Sequence, residues 1–130
     1  MVAVSHSITQ ADEDTRIAEL KQLVQEFCDE RDWSQFHSPK ELAIGIVLEA
    51  SELLEHFRFL SDAQMQALLA SPVKKQEVEE ELADVFCFLL RFSQMYDIDL
   101  SEALRKKMRK NAEKYPVEKA KGKNKKYTEY

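Results

Sequence analysis

Glycine and proline are scarce in this chain, which has only two Gly and three Pro among 130 residues. Runs in which Val, Ile or Thr alternate with polar residues are missing as well, so neither strands nor the turns between them are indicated. We therefore predict an all-α fold, an antiparallel four-helix bundle with short connections. The length suits one hydrophobic core, and we place a single helical domain at residues 1–116 and a basic tail at residues 117–130.

Cysteines and long apolar runs are also few. Cys28 and Cys87 lack the CxxC spacing of zinc and redox motifs, so we expect reduced, inert thiols. No apolar run approaches the roughly 18 residues of a membrane span, and the N-terminus has no basic segment followed by a hydrophobic one. These absences predict a cytoplasmic location and no membrane partner.

The formal net charge of −5 conceals two regions of opposite sign. From Arg105 onward the chain has eleven Lys and Arg against three Glu, whereas the residues before it carry eight basic and twenty-one acidic side chains. An acidic body could hold a metal ion, and a basic end could bind phosphate.

Apolar residues that recur at spacings of three and four predict the helices. Ser38-Pro39 and Ser71-Pro72 each combine a capping serine with a proline at the first helical position, which marks two helix starts. The predicted helices are residues 12–30, 39–60, 62–70, 73–96 and 100–114, and residues 1–9 are expected to form an irregular lead-in.

Two pairs of carboxylates are the most informative feature of the chain. Glu49 and Glu52 lie three residues apart on one predicted helix, and Glu81 and Asp84 repeat that spacing on another, so each pair shares a helix face. Both helices are apolar on one side, and an unpaired carboxylate beside apolar surface is costly. A hard divalent cation such as Mg²⁺, with Mn²⁺ as a substitute, suits oxygen ligands of this kind. The alternative is that the charges simply flank a core stripe.

An aromatic connection precedes the helix of the first pair. Trp33, Phe36 and His37 either close the end of the bundle or form a stacking wall for a planar base. The basic helix and tail are either solvated or help to hold a polyphosphate. A stacking wall for a base and a basic segment that holds a polyphosphate, together with the carboxylates, predict metal-assisted phosphoanhydride hydrolysis. In this reaction Mg²⁺ bridges carboxylates and phosphates and lowers the pKa of a bound water.

The acidic motifs Glu49-Ala50-Ser51-Glu52 and, after 28 residues, Glu81-Leu82-Ala83-Asp84 resemble the signature of the MazG-like all-α nucleoside triphosphate pyrophosphohydrolases. Residues 30–39 and the ending at 126–129 look most similar to the dCTP pyrophosphatase branch. The resemblance implies Mg²⁺-dependent hydrolysis of a (deoxy)nucleoside triphosphate to monophosphate and pyrophosphate, with a role in clearing excess or non-standard nucleotides. It also implies homo-oligomers, dimers or dimer-based tetramers with pockets at subunit contacts.

The same resemblance implies roles for individual residues. The Mg²⁺ ligands would be Glu49, Glu52, Glu81 and Asp84. We favour Glu49 as the residue that orients the attacking water, because its place at the edge of the apolar stripe should raise its pKa. The residues expected beside the base or sugar are Trp33, His37, Phe59 and Phe88. Those expected beside the triphosphate or sugar are Lys107, Asn111, Lys114 and Tyr115.

Some positions depart from the pattern of these enzymes. Leu48 stands where many members of the superfamily have a further Glu, so no ligand is expected there. Trp, Tyr and His are expected in the animal dCTP pyrophosphatases at the positions of Phe59, Phe88 and Val24. The loss of these polar tips removes hydrogen bonds to the base and favours a broader preference, including dATP or modified bases.

Two other classes of protein are rivals. A di-iron bundle needs Glu-x-x-His twice, and no pair in this chain has that spacing. A non-catalytic helical module that binds metal or nucleic acid is the main alternative. The basic tail has no aromatic residue before Tyr127 on which bases could stack, so nucleic acid is not an expected partner.

Overall fold

The computed structural model describes residues 11–130, and the predicted lead-in at residues 1–9 lies outside them. The described part of the chain has no strand, which confirms the all-α prediction. Short 3-10 turns lie at residues 12–14, 34–36 and 127–129. The helices are α1 (Ile17–Glu30), α2 (Pro39–Glu55), α3 (Asp62–Ala70), α4 (Pro72–Met95), α5 (Leu100–Lys114) and α6 (Val117–Ala120).

The helix starts follow the local capping chemistry. The Ser38 hydroxyl accepts a hydrogen bond of 3.2 Å from the backbone N–H of Glu41, and Pro39 opens α2. The Ser71 hydroxyl caps α4 in the same way, before Pro72. Both predicted starts are therefore confirmed, since each cap satisfies an N–H that has no partner inside the helix.

Two predicted helix ends were wrong. The first helix begins at Ile17, because residues 12–14 form a 3-10 turn and the chain is extended at Arg16. The second helix ends at Glu55 instead of residue 60. The turn that follows includes Phe59 at φ 65°, a left-handed conformation that cannot continue an α-helix.

The chain divides into two compact units, of which the first extends to Asp97. In this unit α4 is the central helix and packs against α2, α1 and α3. The apolar residues buried in the described chain all belong to this unit and are Val24, Cys28, Leu42, Val78 and Leu90. Because α5 lies in the other unit, the antiparallel four-helix bundle stays a prediction.

The second unit comprises Ile98–Tyr130 and contains α5, α6 and the predicted basic tail. The composition of the tail favours a disordered or only conditionally ordered segment, and the structure shows order in α6 and in the turn at residues 127–129. Tyr115 explains the difference, because its ring meets the rings of Tyr127 and Tyr130 at centroid distances of 6.0 and 6.1 Å. The boundary between domain and tail at residue 116 stays a prediction.

The scarcity of long apolar runs and of cysteines led to predictions about membrane spans and thiols. Among residues 11–130, no helix combines the length and the apolar character needed to cross a bilayer. Cys28 and Cys87 are both free thiols, and burial is the main cause that raises the pKa of each. A raised pKa disfavours the reactive thiolate, in agreement with inert cysteines.

Candidate functional site

Three of the four predicted metal ligands come together where α2 packs against α4. Glu49 and Glu52 project from one face of α2, and Glu81 faces them from α4. One carboxylate oxygen from each residue lies within 4.8 Å of the other two. Three acidic groups so close together repel one another strongly unless a proton or a cation intervenes.

Buried oxygen atoms make this cluster more than an acidic surface. The Oε2 atoms of Glu49 and Glu81 are buried and have no hydrogen-bond partner within the described residues. Burial is the main cause that raises the pKa of Glu49, followed by a side-chain hydrogen bond with Glu52 and by the charges of Glu52, Asp84 and Glu81. Leaving a buried carboxylate oxygen unpaired costs free energy, so the cluster is built for a positive partner.

The donor set indicates which partner fits. All three groups are carboxylates, which are hard oxygen ligands, and no cysteine or histidine belongs to the group of three. Mg²⁺ and Mn²⁺ prefer such ligands and keep further positions for water or phosphate oxygens. The residues present therefore fit a divalent cation of this kind.

Asp84, the fourth predicted ligand, lies outside the group of three. It is exposed on α4, one turn after Glu81, and its negative charge contributes to the raised pKa of Glu49. The spacing of three residues places it on the side of α4 that carries Glu81. Its role as a ligand stays a prediction.

His56 is a neighbour of the cluster that the sequence analysis did not select. Its Nε2 atom lies 3.6 Å from Oε1 of Glu81, which leaves Oε2 of that carboxylate without a partner. His56 follows Glu52 by four residues at the C-terminal end of α2, so the two side chains lie on the same face of the helix. That spacing of four residues is the signal in the sequence that indicates a histidine beside the carboxylates.

Gly45 sets how closely the two helices of the cluster approach. A Cβ atom built on Gly45 would lie 2.6 Å from Cδ1 and 2.7 Å from Cζ of Phe88, so the aromatic ring of α4 packs directly on the backbone of α2. Gly45 precedes Glu49 by one turn, and Phe88 follows Asp84 by one turn. The predicted substrate residue Phe88 thus lies next to the carboxylates as a packing residue.

The aromatic connection between α1 and α2 is held by α4. The ring of Trp33 packs edge-on against Phe27 at 5.5 Å and lies 6.5 Å from the ring of His37. Nδ1 of His37 accepts a hydrogen bond of 2.8 Å from Arg91, a buried residue that the sequence analysis missed. Phe36 is 62% exposed and does not close the core of the first unit.

Phe59 and Val24 occupy contrasting environments. Phe59, predicted to lie beside the base, is 88% exposed, and the Arg58 guanidinium lies 4.5 Å from the centre of its ring. A bulky residue with positive φ is strained, and such strain is concentrated at functional sites. Val24, by contrast, is buried in α1 and is part of the core.

The predicted phosphate-side residues belong to the second unit. Lys107, Asn111 and Lys114 lie on one face of α5, because they follow one another at spacings of four and three. Lys114 Nζ lies 4.9 Å from the ring centre of Tyr127, and Tyr115 packs on the same ring. Their position beside the triphosphate stays a prediction.

Comparison with known proteins gives matches over most of the chain. Residues 44–130 match the MazG-like family. The dCTP pyrophosphatase 1 of Rattus norvegicus is 36% identical over 113 residues, and that of Homo sapiens is 35% identical over 113 residues. Each match covers 87% of this chain and 66% of the relative, so the chain spans just under two thirds of the length of these relatives.

A solved structure is similar along nearly its whole length. The crystal structure of a pyrophosphatase from Archaeoglobus fulgidus is 38% identical in sequence and superposes with a TM-score of 0.74. The match covers 83% of this chain and 99% of the archaeal chain.

Proposed function

Because this chain belongs to the MazG-like family, we propose that it hydrolyses (deoxy)nucleoside triphosphates to the monophosphate and pyrophosphate in the presence of Mg²⁺. One observation carries the proposal. The buried, unpartnered oxygens of Glu49 and Glu81 lie in a group of three carboxylates, which a divalent cation would stabilise. The relatives named as pyrophosphatases support the same chemistry.

The proposed roles of the acidic residues follow from their surroundings. Glu49, Glu52 and Glu81 would hold the cation, with Asp84 as a further ligand. A bound Mg²⁺ supplies positive charge that offsets the charge of the phosphates during attack on phosphorus. Glu49 would also orient the attacking water, because its carboxylate belongs to the group that would hold the cation. As the new P–O bond forms, the α–β phosphoanhydride bond breaks and pyrophosphate leaves.

The remaining predicted residues would bind the rest of the nucleotide. Trp33, with its partly exposed ring, and Phe59 offer aromatic surface for the base. His37 would lie beside the base or sugar. The residues proposed to contact the triphosphate or sugar are Lys107, Asn111, Lys114 and Tyr115.

A deoxynucleotide is the proposed substrate class, with dCTP as the reference compound because of the relatives' names. We propose weaker selection for cytosine in this chain. Phe59 and Phe88 have no polar tip to bond a base, and Val24 lies in the core. Hydrolysis of dATP or of modified nucleotides would follow from this loss of hydrogen bonds.

Pyrophosphate release tests the proposal directly. The eight common nucleoside triphosphates, each with Mg²⁺, are incubated with the full chain, and pyrophosphate, orthophosphate and monophosphate are measured. We expect equal amounts of pyrophosphate and monophosphate from at least one deoxynucleotide, because a single α–β bond is broken. Release of orthophosphate with diphosphate, or no turnover of any of the eight, would contradict the proposal.

We also propose that a second copy of the chain covers an apolar groove on α4. The groove is lined by Leu82, Ala83, Val85, Phe86 and Leu89. Leu82 is 51% exposed, and few apolar residues of the described chain are buried compared with the many large ones that are exposed. Extensive exposed apolar surface marks interaction sites between proteins.

Sedimentation at several protein concentrations tests this interface. The double variant Leu82→Glu/Leu89→Glu is expected to dissociate the oligomer, because it places charge in an apolar contact. Val73→Glu on the same helix is the matched control, since Val73 is exposed outside the groove. A monomeric wild-type chain, or a double variant that sediments like the wild type, would refute the interface.

A further inference from the structure

Arg91 is a buried cation that is only 3% exposed. Among residues 11–130 its hydrogen-bond acceptors are His37, Gln94 and Ser34, and none of them is a carboxylate. Its Nε donates to Nδ1 of His37 at 2.8 Å, and its two terminal nitrogens donate to Oε1 of Gln94 and Oγ of Ser34 at 2.9 Å each. A guanidinium has five N–H donors in a fixed fork, so it orients each acceptor that it meets.

The bond from Arg91 decides where the imidazole of His37 carries its hydrogen. The guanidinium can only donate, so Nδ1 of His37 must be an acceptor without hydrogen. The neutral ring therefore carries its hydrogen on Nε2. Burial and the charge of Arg91 lower the pKa of His37, and both causes favour the same neutral form.

Two further hydrogen bonds hold the main chain around this group. The Tyr96 hydroxyl donates to the backbone carbonyl of His37 at 2.7 Å. Gln94, which accepts from Arg91, donates to the carbonyl of Lys21 at 2.6 Å and so ties the group to α1. Within the part of the chain that the structure describes, no carboxylate is paired with Arg91 or His37.

The hydroxyl of Ser34 completes the arrangement. Because its oxygen accepts from Arg91, its own hydrogen is free to point away from the guanidinium. Nε2 of His37 likewise has no acceptor among the described residues. Arg91 thus leaves Ser34 and His37, two side chains of the aromatic connection, each with a hydrogen that can be donated to another group.

We propose that Arg91 is a positioning residue that fixes His37 as an Nε2–H donor, so that this end of the site selects an acceptor oxygen or nitrogen of the base or sugar. The selection rests on the proposed function, whereas the state of the ring does not. A nucleotide that offers an acceptor at this point is bound, and one that offers only an amino group is disfavoured because two donors would face each other.

Nitrogen-15 NMR of the histidine rings tests the state of His37, with His37→Gln to assign its signal. In the wild type we expect hydrogen on Nε2, bare Nδ1, and titration below the ordinary pKa of 6.5. Arg91→Met removes the donor and the positive charge beside His37. In this variant the imidazole of His37 is expected to populate both neutral forms and to titrate at higher pH. Hydrogen on Nδ1 in the wild type overturns the proposal, and this result does not depend on whether Arg91→Met folds.

Kinetics on the nucleotide hydrolysed fastest in the panel test the selection. Arg91→Met is expected to raise KM about five- to tenfold, the usual effect of one lost hydrogen bond, with a smaller change in kcat. Tyr96→Phe is the matched control, since it frees the backbone of His37 but leaves Nδ1 bonded to Arg91. An equal rise of KM in Tyr96→Phe, or an unchanged KM in Arg91→Met, overturns the proposal. If the wild type hydrolyses no nucleotide, the proposed function fails and the NMR result alone decides the role of Arg91.

Discussion

Glu81→Gln is expected to lower kcat/KM for nucleoside triphosphate hydrolysis about a thousandfold, because removal of a ligand loses several kcal/mol of charge stabilisation. The substitution keeps the shape of the side chain but replaces a buried carboxylate oxygen that has no partner within the described residues. Without Mg²⁺ the variant should be at least as stable as the wild type, since one of three mutually repelling charges is gone. Steady-state kinetics and thermal melting with and without Mg²⁺ measure both effects.

Glu80→Gln is the matched control for this variant. Glu80 is the neighbour of Glu81 on α4, is exposed, and bonds to Gln76 outside the group of three carboxylates. It should retain wild-type turnover and the rise in Tm that Mg²⁺ produces in the wild type by binding the native state. Equal turnover by both variants, or a Mg²⁺-induced rise in Tm that persists in Glu81→Gln, would refute the proposed metal site.

Gly45→Ala is expected to destabilise the protein by about 1–3 kcal/mol, the usual cost of overpacking a close contact. In an isolated helix this change would stabilise by about 1 kcal/mol, since alanine is the better helix former. Here the new Cβ would lie 2.6 Å from Cδ1 of Phe88, so the ring or one of the two helices must move. Chemical denaturation monitored by circular dichroism measures the change in the free energy of unfolding.

A double-mutant cycle with Phe88→Ala separates this clash from other effects. Removing the ring relieves the contact, so the double variant should be more stable than the sum of the two single changes predicts, by about 1–2 kcal/mol. Gly122→Ala is the control for this cycle. Its cost comes from the positive φ of 72°, and no atom lies within 4 Å of the new Cβ, so Phe88→Ala should not reduce that cost. Additive effects at Gly45 and Phe88, or a stabilised Gly45→Ala, would show that the close approach does not limit the packing of α2 on α4.

Much of the secondary structure was predictable because its causes are local. The serine and proline at each start of α2 and α4 lie within one helical turn of the N–H groups that they satisfy or replace. Helix α5 was predicted with the correct ends, since Asp99 caps it through a bond to the N–H of Glu102. The end of α2 was missed because the left-handed conformation of Phe59 has no signal in its residue type.

The family was also accessible from the sequence alone. Two acidic motifs on two apolar helices indicated a metal site, and their resemblance to MazG-like enzymes is confirmed by the match over residues 44–130 and by the dCTP pyrophosphatase relatives. Spacing within each motif is a property of one helix, so it survives without knowledge of the fold. The identities of the ion and of the base stay predictions, because they depend on groups from different helices, whose meeting local spacing does not determine.

The sequence by itself determined the all-α class, the capped helix starts and the pairing of carboxylates along each helix. Only the tertiary structure brought Glu49, Glu52 and Glu81 within 4.8 Å, set His56 against Glu81, and used Gly45 to seat the ring of Phe88. It also joined Arg91 to His37 across 54 residues of chain. The physical reason is that helical periodicity and caps act within a turn or two, whereas these contacts exist only once α4 has packed against α2 and the aromatic connection.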